Sequence, residues 1–226
     1  MFMSLLVIKI TGKAFDEGTP LLDRYASTLK KLLETYKLLI VTGGGNTARK
    51  YMSVAKDLGV HSAYWLDSIG IMASRLNSLL LIASLSPHAY PRVPSTVEDT
   101  ITALSSHRAV SVGGLIPGQS TAAVLLQVAE ALAVRKVYYY SAIGKVYTKD
   151  PVKHPDAKPL SVIPASTLKA IIEQRNLPGE YALVDVSALD IAVRSKIEVQ
   201  ILNYREPELI YSALNGGNPG TIITPE

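Results

Sequence analysis

The 226-residue chain contains no cysteine, which excludes a disulfide framework, a thiolate metal site and a cysteine nucleophile. Histidine is also scarce. The histidines lie far apart, without the spacing typical of metal ligands, at His61, His88, His107 and His154. No Ser-His-Asp set and no pair of catalytic carboxylates can be assembled from the pattern. The sequence therefore predicts neither a metal held by protein ligands nor a catalytic triad.

Signals for export, membranes and nucleic acids are missing as well. The apolar stretch 2–8 ends at Lys9, has no basic region before it and has no small-residue cleavage site, so we expect no signal peptide. The apolar run 79–85 is far shorter than the roughly 20 residues that cross a bilayer. Lysine and arginine are spread along the chain without a dense cluster, and the net charge is only +4. We expect a cytoplasmic protein with a small anionic ligand and with neither nucleic acid nor membrane as a partner.

The composition is that of a globular protein, with 48% hydrophobic and 19% charged residues. The length suits one substantial α/β domain or two small lobes that share a sheet. We find no internal repeat, no low-complexity tract and no convincing linker. The sequence therefore predicts a single domain over residues 1–226.

The most informative segment, Leu38 to Arg49, is an apolar β-branched run that stops at three consecutive glycines and continues as a helix. Gly43 to Gly45 let backbone N–H groups approach an anion, and the helix presents its positive N-terminus there. The spacing matches neither G-x-x-x-x-G-K-[ST] nor G-x-G-x-x-G. The segment predicts either a phosphate loop of another kind or only a turn.

Strands and helices alternate along the chain. We expect strands at 5–10, 38–41, 109–112, 136–140, 199–203 and 222–224, and helices at 21–36, 47–58, 69–85, 121–133 and 165–174. Residues 148–164 hold four prolines and read as a loop. In the helix 69–85 the polar Ser74, Arg75 and Asn77 interrupt an apolar segment and need partners. This order predicts a largely parallel sheet covered on both faces, with ligands at the carboxyl ends of the strands.

Three further loops carry candidate residues. Lys9 to Lys13 places two lysines around Gly12, either to neutralise phosphate or as a solvated pair at a turn. Gly113 to Thr121 precedes a helix that Ser120 or Thr121 opens, as a cap or as a ligand contact. Tyr147 to Pro151 offers a ring for a nucleobase and Asp150 for a ribose, or a plain Asp-Pro turn. Arg49 either reaches a phosphate or lies on the helix surface. Such cationic, glycine-rich apparatus suits phosphoryl transfer.

Together, several segments resemble the amino acid kinase superfamily and, within it, the archaeal uridylate (UMP) kinases. The segments that carry the resemblance are 9–13, 41–49, Asp67 with 70–77, and 113–123. The resemblance implies a three-layer αβα fold around a largely parallel sheet, and transfer of the γ-phosphoryl group of ATP to UMP, giving UDP and ADP. It also implies Mg²⁺ held mainly by the phosphates, and a homohexamer.

The resemblance assigns site residues by position. For catalysis these are Lys9, Lys13 and Arg49. For ATP they are Lys9, Thr11, Gly12, Lys13, Gly45, Arg49, Ser141, Tyr147 and Asp150. For UMP they are Gly44, Asp67, Leu115, Ile116, Pro117, Gly118, Gln119, Ser120 and Thr121. The UMP and phosphate side would fall mainly in residues 1–135 and the ATP side mainly in residues 136–226.

One segment departs from the family pattern. Where such kinases read Thr-Asn-Val-Asp-Gly-Val-Tyr, this chain reads Ser-Ala-Ile-Gly-Lys-Val-Tyr over 141–147. Ala142 and Gly144 have no side-chain hydrogen-bonding group to position a lysine, a nucleotide or a metal-bound water. Two further hypotheses therefore stand beside a working UMP kinase. One is a catalytically weak paralogue that binds nucleotide as a sensor or assembly subunit. The other, which Asp67 and the loop 113–121 disfavour, is a phosphotransferase with another acceptor.

Overall fold

The computed structural model describes residues 3–149, 154–174 and 184–226. Within these ranges the strands are β1 (Leu5–Ile10), β2 (Lys37–Thr42), β3 (Ala109–Val112), β4 (Lys136–Ser141), β5 (Val146–Tyr147), β6 (Pro159–Leu160), β7 (Val162–Pro164), β8 (Glu198–Asn203) and β9 (Thr221–Thr224). The helices are α1 (Lys13–Asp16), α2 (Thr19–Leu32), α3 (Gly45–Asp57), α4 (Ala63–Leu85), α5 (Val97–Ser106), α6 (Thr121–Ala131), α7 (Ala165–Gln174), α8 (Val186–Arg194) and α9 (Leu209–Leu214).

Seven strands form one sheet in the order β3-β2-β1-β4-β8-β9-β7. Neighbouring strands are parallel from β3 through to β8, whereas β9 runs antiparallel to β8 and parallel to β7. The prediction of a largely parallel sheet is confirmed. In this arrangement the carboxyl ends of β1 to β4 lie at the same edge, which brings together the loops that follow them.

Apolar side chains cover the two faces of the sheet in separate clusters. In β1, Val7 packs on one face, while Leu6, Ile8 and Ile10 pack on the other, as the two-residue period of a strand requires. The cluster around Val7 takes its helical residues from α5, α6, α7 and α8. The cluster around Ile8 takes them from α1, α2, α4 and α9. The predicted three-layer αβα architecture is thereby confirmed.

The helix α4 is longer than expected, since it begins at Ala63 and not at Ile69. Among the described residues it is the one helix long and apolar enough to cross a membrane, with a mean hydropathy of 1.5. Length and composition alone do not distinguish a spanning helix from the core helix of a globular protein. Here Ser74, Asn77 and Ser78 are buried, and Leu81, Ile82 and Leu85 belong to the core, which is the pattern of a helix packed within a protein.

Several short elements were not predicted. All four helices that were not predicted, α1, α5, α8 and α9, have ten residues or fewer, and such short segments give weak helical periodicity. The proline-rich stretch also forms strands: β6 pairs with β5, and β7 lies at the edge of the main sheet. Pro159 and Pro164 occupy such edge strands, where proline is tolerated because no donor is required on the open side.

Candidate active site

The loops after β1 and β2 lie directly against each other. The N–H of Gly43 donates to the carbonyl of Ile10 (3.0 Å), and that of Thr11 donates to the carbonyl of Tyr140 on β4 (3.1 Å). A Cβ at Gly12 would overlap the amide nitrogen of Gly45 and lie 2.5 Å from its Cα. Gly45 itself has a φ of +62°, a conformation that side chains disfavour. The two glycines therefore permit a backbone contact that no other residue allows.

Lys9 is a buried lysine at this edge. It lies in β1 between Val41 of β2 and Tyr139 of β4, and is only 4% exposed. Its Nζ is 4.0 Å from the centre of the Tyr139 ring, a cation–π contact. Lys9 forms no ion pair with any residue in the described ranges. A largely desolvated ammonium without a counter-ion favours the arrival of an anion.

Lys13 and Arg49 lie on either side of the junction between the two loops. Lys13 is exposed at the start of α1, and Arg49 is exposed in the first turns of α3. The guanidinium of Arg49 donates to Asn46 Oδ1 from Nη2 (2.5 Å) and from Nε (3.2 Å). Its Nη2 is also 3.5 Å from Asp16 Oδ2. Arg49 is thus held in place at the junction.

Glu17, the residue after α1, anchors the segment that carries Lys13 to the turn after β8, on the same face of the sheet. Its carboxylate accepts hydrogen bonds from the Tyr204 hydroxyl and from Arg205 Nη2 (2.7 Å). These hydrogen bonds, first from Tyr204 and then from Arg205, lower the pKa of Glu17. The same environment, chiefly burial, raises the pKa of Tyr204. At neutral pH a charged Glu17 therefore ties α1 to the turn after β8.

The predicted polar residues of α4 find partners in the loops. Asn77 Nδ2 donates to the carbonyl of Gly43 (2.7 Å). Ser74 Oγ accepts from the N–H of Gly114 (2.7 Å), and Arg75 Nε donates to the carbonyl of Gly114 (3.0 Å). The expectation that these buried groups need partners is confirmed. Through them α4 holds both the loop after β2 and the loop after β3.

A cavity of about 190 Å³ lies between these loops. Its walls come from α3, α4 and the start of α6, and its lining is Gly44, Ala48, Met52, Asp67, Gly70, Ile71, Ser74, Gly114, Gln119 and Thr121. Asp67 Oδ2 accepts from the N–H of Gly118 (2.7 Å), which closes the loop after β3 onto α4. In the described part of the chain Gln119 Oε1 is buried without a hydrogen-bond partner. Asp67 and Gln119 are thus the residues with carboxylate or amide side chains in the lining of this cavity.

Of the residues assigned to UMP by resemblance, Gly44, Asp67, Gln119 and Thr121 line this cavity. The remaining five, Leu115, Ile116, Pro117, Gly118 and Ser120, do not line it. Leu115 is part of the core, and Ile116 is exposed. Sequence reasoning gave no role to Ala48, Met52 or Ile71, because an apolar residue in a helix carries no chemical signal.

Ser120 is the N-cap residue of α6. Its Oγ accepts from the N–H groups of Ala122 (3.1 Å) and Ala123 (3.0 Å), so it caps α6. The same hydroxyl donates to Asp185, which caps α8. The structure confirms the cap, and the ligand contact assigned to Ser120 stays a prediction.

The segment that departs from the family pattern forms a tight turn after β4. Ser141 Oγ accepts from the N–H groups of Ile143 and Gly144, both at 3.2 Å. Gly144 has a φ of +73°, and a Cβ there would lie 2.9 Å from Asn203 Cβ. This backbone has no room for an Asp side chain at position 144. Tyr147 follows in β5, half-buried, whereas Asp150 lies outside the described residues.

Comparisons with known proteins agree on the family. The model of the amino acid kinase family matches residues 4–203. The uridylate kinase of Staphylothermus marinus is 54% identical over 220 residues, covering 97% of this chain and 98% of that protein. The uridylate kinase of Pyrobaculum calidifontis is 40% identical, covering 97% and 100%. The crystal structure of uridylate kinase from Archaeoglobus fulgidus superposes with a TM-score of 0.86 at 29% identity, covering 98% of this chain and 100% of that one.

Proposed function

Because the chain belongs to the amino acid kinase family, we propose that it is a UMP kinase, which transfers the γ-phosphoryl group of ATP to UMP. The observation that carries this proposal is the meeting of the loops after β1 and β2 beside the unpaired ammonium of Lys9. The choice of UMP as the acceptor rests on its relatives, which match nearly the full chain and are uridylate kinases. The products are UDP and ADP.

In the proposed reaction the protein acts mainly by electrostatic stabilisation of the transition state. An oxygen of the UMP phosphate attacks the γ-phosphorus, the bond between that phosphorus and the β,γ-bridging oxygen breaks, and ADP leaves with the electron pair. The attacking oxygen already carries charge, so no general base is needed. Lys9 stabilises the negative charge that spreads over the transferring group, with Lys13 and Arg49 in support.

We assign the acceptor to the cavity that Asp67 lines. Asp67 binds the UMP ribose and Gly44 approaches the UMP phosphate. The loop 115–121 contributes to the base and phosphate site through Gln119 and Thr121, which line the cavity. The charge of Asp67 is already engaged with Gly118, so the carboxylate both shapes the loop and offers its other oxygen to a hydroxyl.

We assign the donor to the adjoining side, where Thr11, Gly12, Gly45, Ser141 and Tyr147 lie. The resemblance also assigns Asp150 to ATP, but that residue lies outside the described ranges. The magnesium ion arrives with the nucleotide and is held mainly by its phosphates. The ion supplies charge neutralisation at the phosphates.

An exposed apolar face suggests self-association. Large side chains of α3 and α4, including Tyr51, Trp65, Met72 and Leu76, line a cavity of about 740 Å³, and Met72 is 63% exposed. Monomeric soluble proteins rarely leave so continuous an apolar patch in water. We propose that the enzyme is a cytoplasmic homo-oligomer, a homohexamer as the resemblance implies, and that this face is covered by another subunit.

A coupled assay of ADP release with UMP, CMP, AMP and GMP tests the proposed function. We expect turnover with UMP that exceeds turnover with the other three by at least tenfold. If calorimetry detects UMP binding while no ADP is released, the weak-paralogue hypothesis, motivated by Ala142 and Gly144, replaces this one. Turnover confined to another acceptor would contradict both.

Asp67→Ala gives a sharper test of the acceptor side. The change removes the hydrogen bond to Gly118 and the proposed contact to the ribose, and bonds to a charged group are worth about 1.5–3 kcal/mol each. We expect the KM for UMP to rise about 10- to 100-fold while the KM for ATP changes less than about threefold. Steady-state kinetics with each substrate varied in turn measures both. A parallel rise in the KM for ATP would refute the assignment.

A further inference from the structure

The helix α3 begins without a side-chain cap of its own, because its N-cap residue is Gly44. A carboxylate from elsewhere in the chain fills this role. Asp16, the last residue of α1, accepts from the N–H of Asn46 with both oxygens, at 2.9 Å to Oδ1 and 3.0 Å to Oδ2. Its side chain is only 16% exposed. Asp16 therefore stabilises the N-terminus of α3 by hydrogen bonding and by charge.

The same carboxylate faces Arg49. Asn46 connects the two, because its backbone N–H binds Asp16 while its Oδ1 binds the guanidinium. The contact between Arg49 Nη2 and Asp16 Oδ2 is long, at 3.5 Å. Arg49 Nη1 has no partner among the residues that the structure describes. One edge of the guanidinium is thus held by protein while another stays open to an anion.

This network lies at the junction of the two glycine loops. A Cβ at Gly45 would lie 2.8 Å from Asp16 Oδ1, so the carboxylate sits against the bare backbone that meets Gly12. Arg49 is 59% exposed along its side chain, and such a side chain samples many rotamers unless it is held. Fixing it beforehand reduces the entropy lost when it binds a phosphate.

We propose that Asp16 is a positioning residue for phosphoryl transfer: it holds the first turn of α3 and, through Asn46, directs Arg49 toward the phosphate that is accepted or transferred. This inference rests on the proposed function for its reaction, but the geometry concerns any phosphate bound at the junction. The opposite role would be competition, in which the carboxylate occupies donors that a phosphate needs. The open Nη1 of Arg49 favours positioning.

The experiment compares Asp16→Ala, Asp16→Asn, Arg49→Ala and the double variant Asp16→Ala/Arg49→Ala. Asp16→Asn keeps one oxygen that can accept from Asn46 but loses the charge, so it separates capping from charge and serves if the alanine variant does not fold. Asp23→Ala is the matched control, because Asp23 is an exposed acid on α2 whose side chain makes no hydrogen bond or ion pair within the described ranges.

Two readouts are measured, UMP binding by calorimetry and turnover with ATP and UMP. We expect Asp16→Ala to weaken UMP binding and lower kcat/KM for UMP about tenfold, with Asp16→Asn in between and Asp23→Ala unchanged. In the Arg49→Ala background the further loss should be less than about twofold, because the positioned group is gone.

Tighter UMP binding in Asp16→Ala would show competition and overturn the inference. Additive losses in the double variant, or unchanged binding and turnover, would overturn it as well. The calorimetric cycle does not depend on turnover. A wild-type protein that binds UMP but releases no ADP would therefore defeat the proposed function and leave the inference to be decided by binding.

Discussion

Lys9→Met is expected to lower kcat by about 10²- to 10³-fold while leaving UMP binding within about threefold of the wild-type value. Methionine fills much of the volume of the buried lysine against Tyr139 but carries no charge. The charge at Lys9 is proposed to act on the transferring phosphoryl group, whose negative charge spreads over its oxygens only as the bond to ADP breaks. An interaction made in the transition state changes kcat without a matching change in substrate affinity. Single-turnover kinetics together with calorimetry of UMP measures the two quantities.

Lys136→Met is the matched control for this change. Lys136 is the first residue of β4, at the end of the strand away from the proposed site, and pairs with Glu198 (2.9 Å). The substitution therefore removes a strand lysine that is far from the proposed chemistry. We expect its kcat to stay within about twofold of wild type. Lys9→Ala should match Lys9→Met in kcat but lose more stability, because alanine leaves a cavity. Equal losses of UMP affinity and kcat in Lys9→Met would contradict a role specific to the transition state.

Gly12→Ala is expected to reduce turnover to below about 1% and to lower the free energy of unfolding by about 1–3 kcal/mol or more. The added methyl group would overlap backbone atoms of Gly45 and lie 2.8 Å from the carbonyl carbon of Gly44. Backbone cannot swing aside as a flexible side chain can, so the two loops must separate. Their separation would displace the amides and cations that are proposed to surround the phosphates. Urea denaturation and the coupled assay give both numbers.

For the free energy of unfolding, Gly70→Ala separates the effect of added volume from the effect of its location. It is not a control for turnover, because Gly70 lines the cavity assigned to UMP. Gly70 lies inside α4, and a Cβ there meets only Met52 Sδ, at 3.7 Å. Alanine also has a higher helix propensity than glycine, so we expect the unfolding free energy to hold or to rise by up to about 1 kcal/mol. If Gly12→Ala were as stable as Gly70→Ala and retained turnover, the close contact between the loops would be required neither for stability nor for catalysis.

Much of the fold was predictable because it rests on local patterns. Apolar β-branched runs predicted β1 and β3 to the residue, and the glycines marked the loops that follow β1, β2 and β3. The longer helices followed from periodicity, with errors at their ends. Residues 63–68 of α4 were missed because they include exposed Tyr64 and Trp65, which break the apolar pattern expected of a helix packed on one side.

The site was predictable only in part, because its geometry depends on contacts between distant residues. Nothing near Asp16 in the sequence indicates that it caps a helix beginning at Gly45, and the spacing of Ser120 and Asp185 does not indicate their hydrogen bond. The roles assigned to individual residues for ATP and UMP stay predictions. Serine and glycine at 141 and 144 have a clear structural reason, since together they build a turn that fits against Asn203.

The position of β9 in the sheet has a consequence for the order in which the chain folds. Among the described residues, β7 pairs in the main sheet with β9 alone, and β9 also joins β7 to β8. The strands β1 to β4 and β8 can therefore assemble as the ribosome releases them, from the amino-terminal side onward. β7 cannot join the sheet until residues 221–224 have emerged from the ribosome, because β9 is the strand with which it pairs. A ribosome-bound nascent chain stalled before that point should leave the β7 segment open to protease while the earlier strands are already protected.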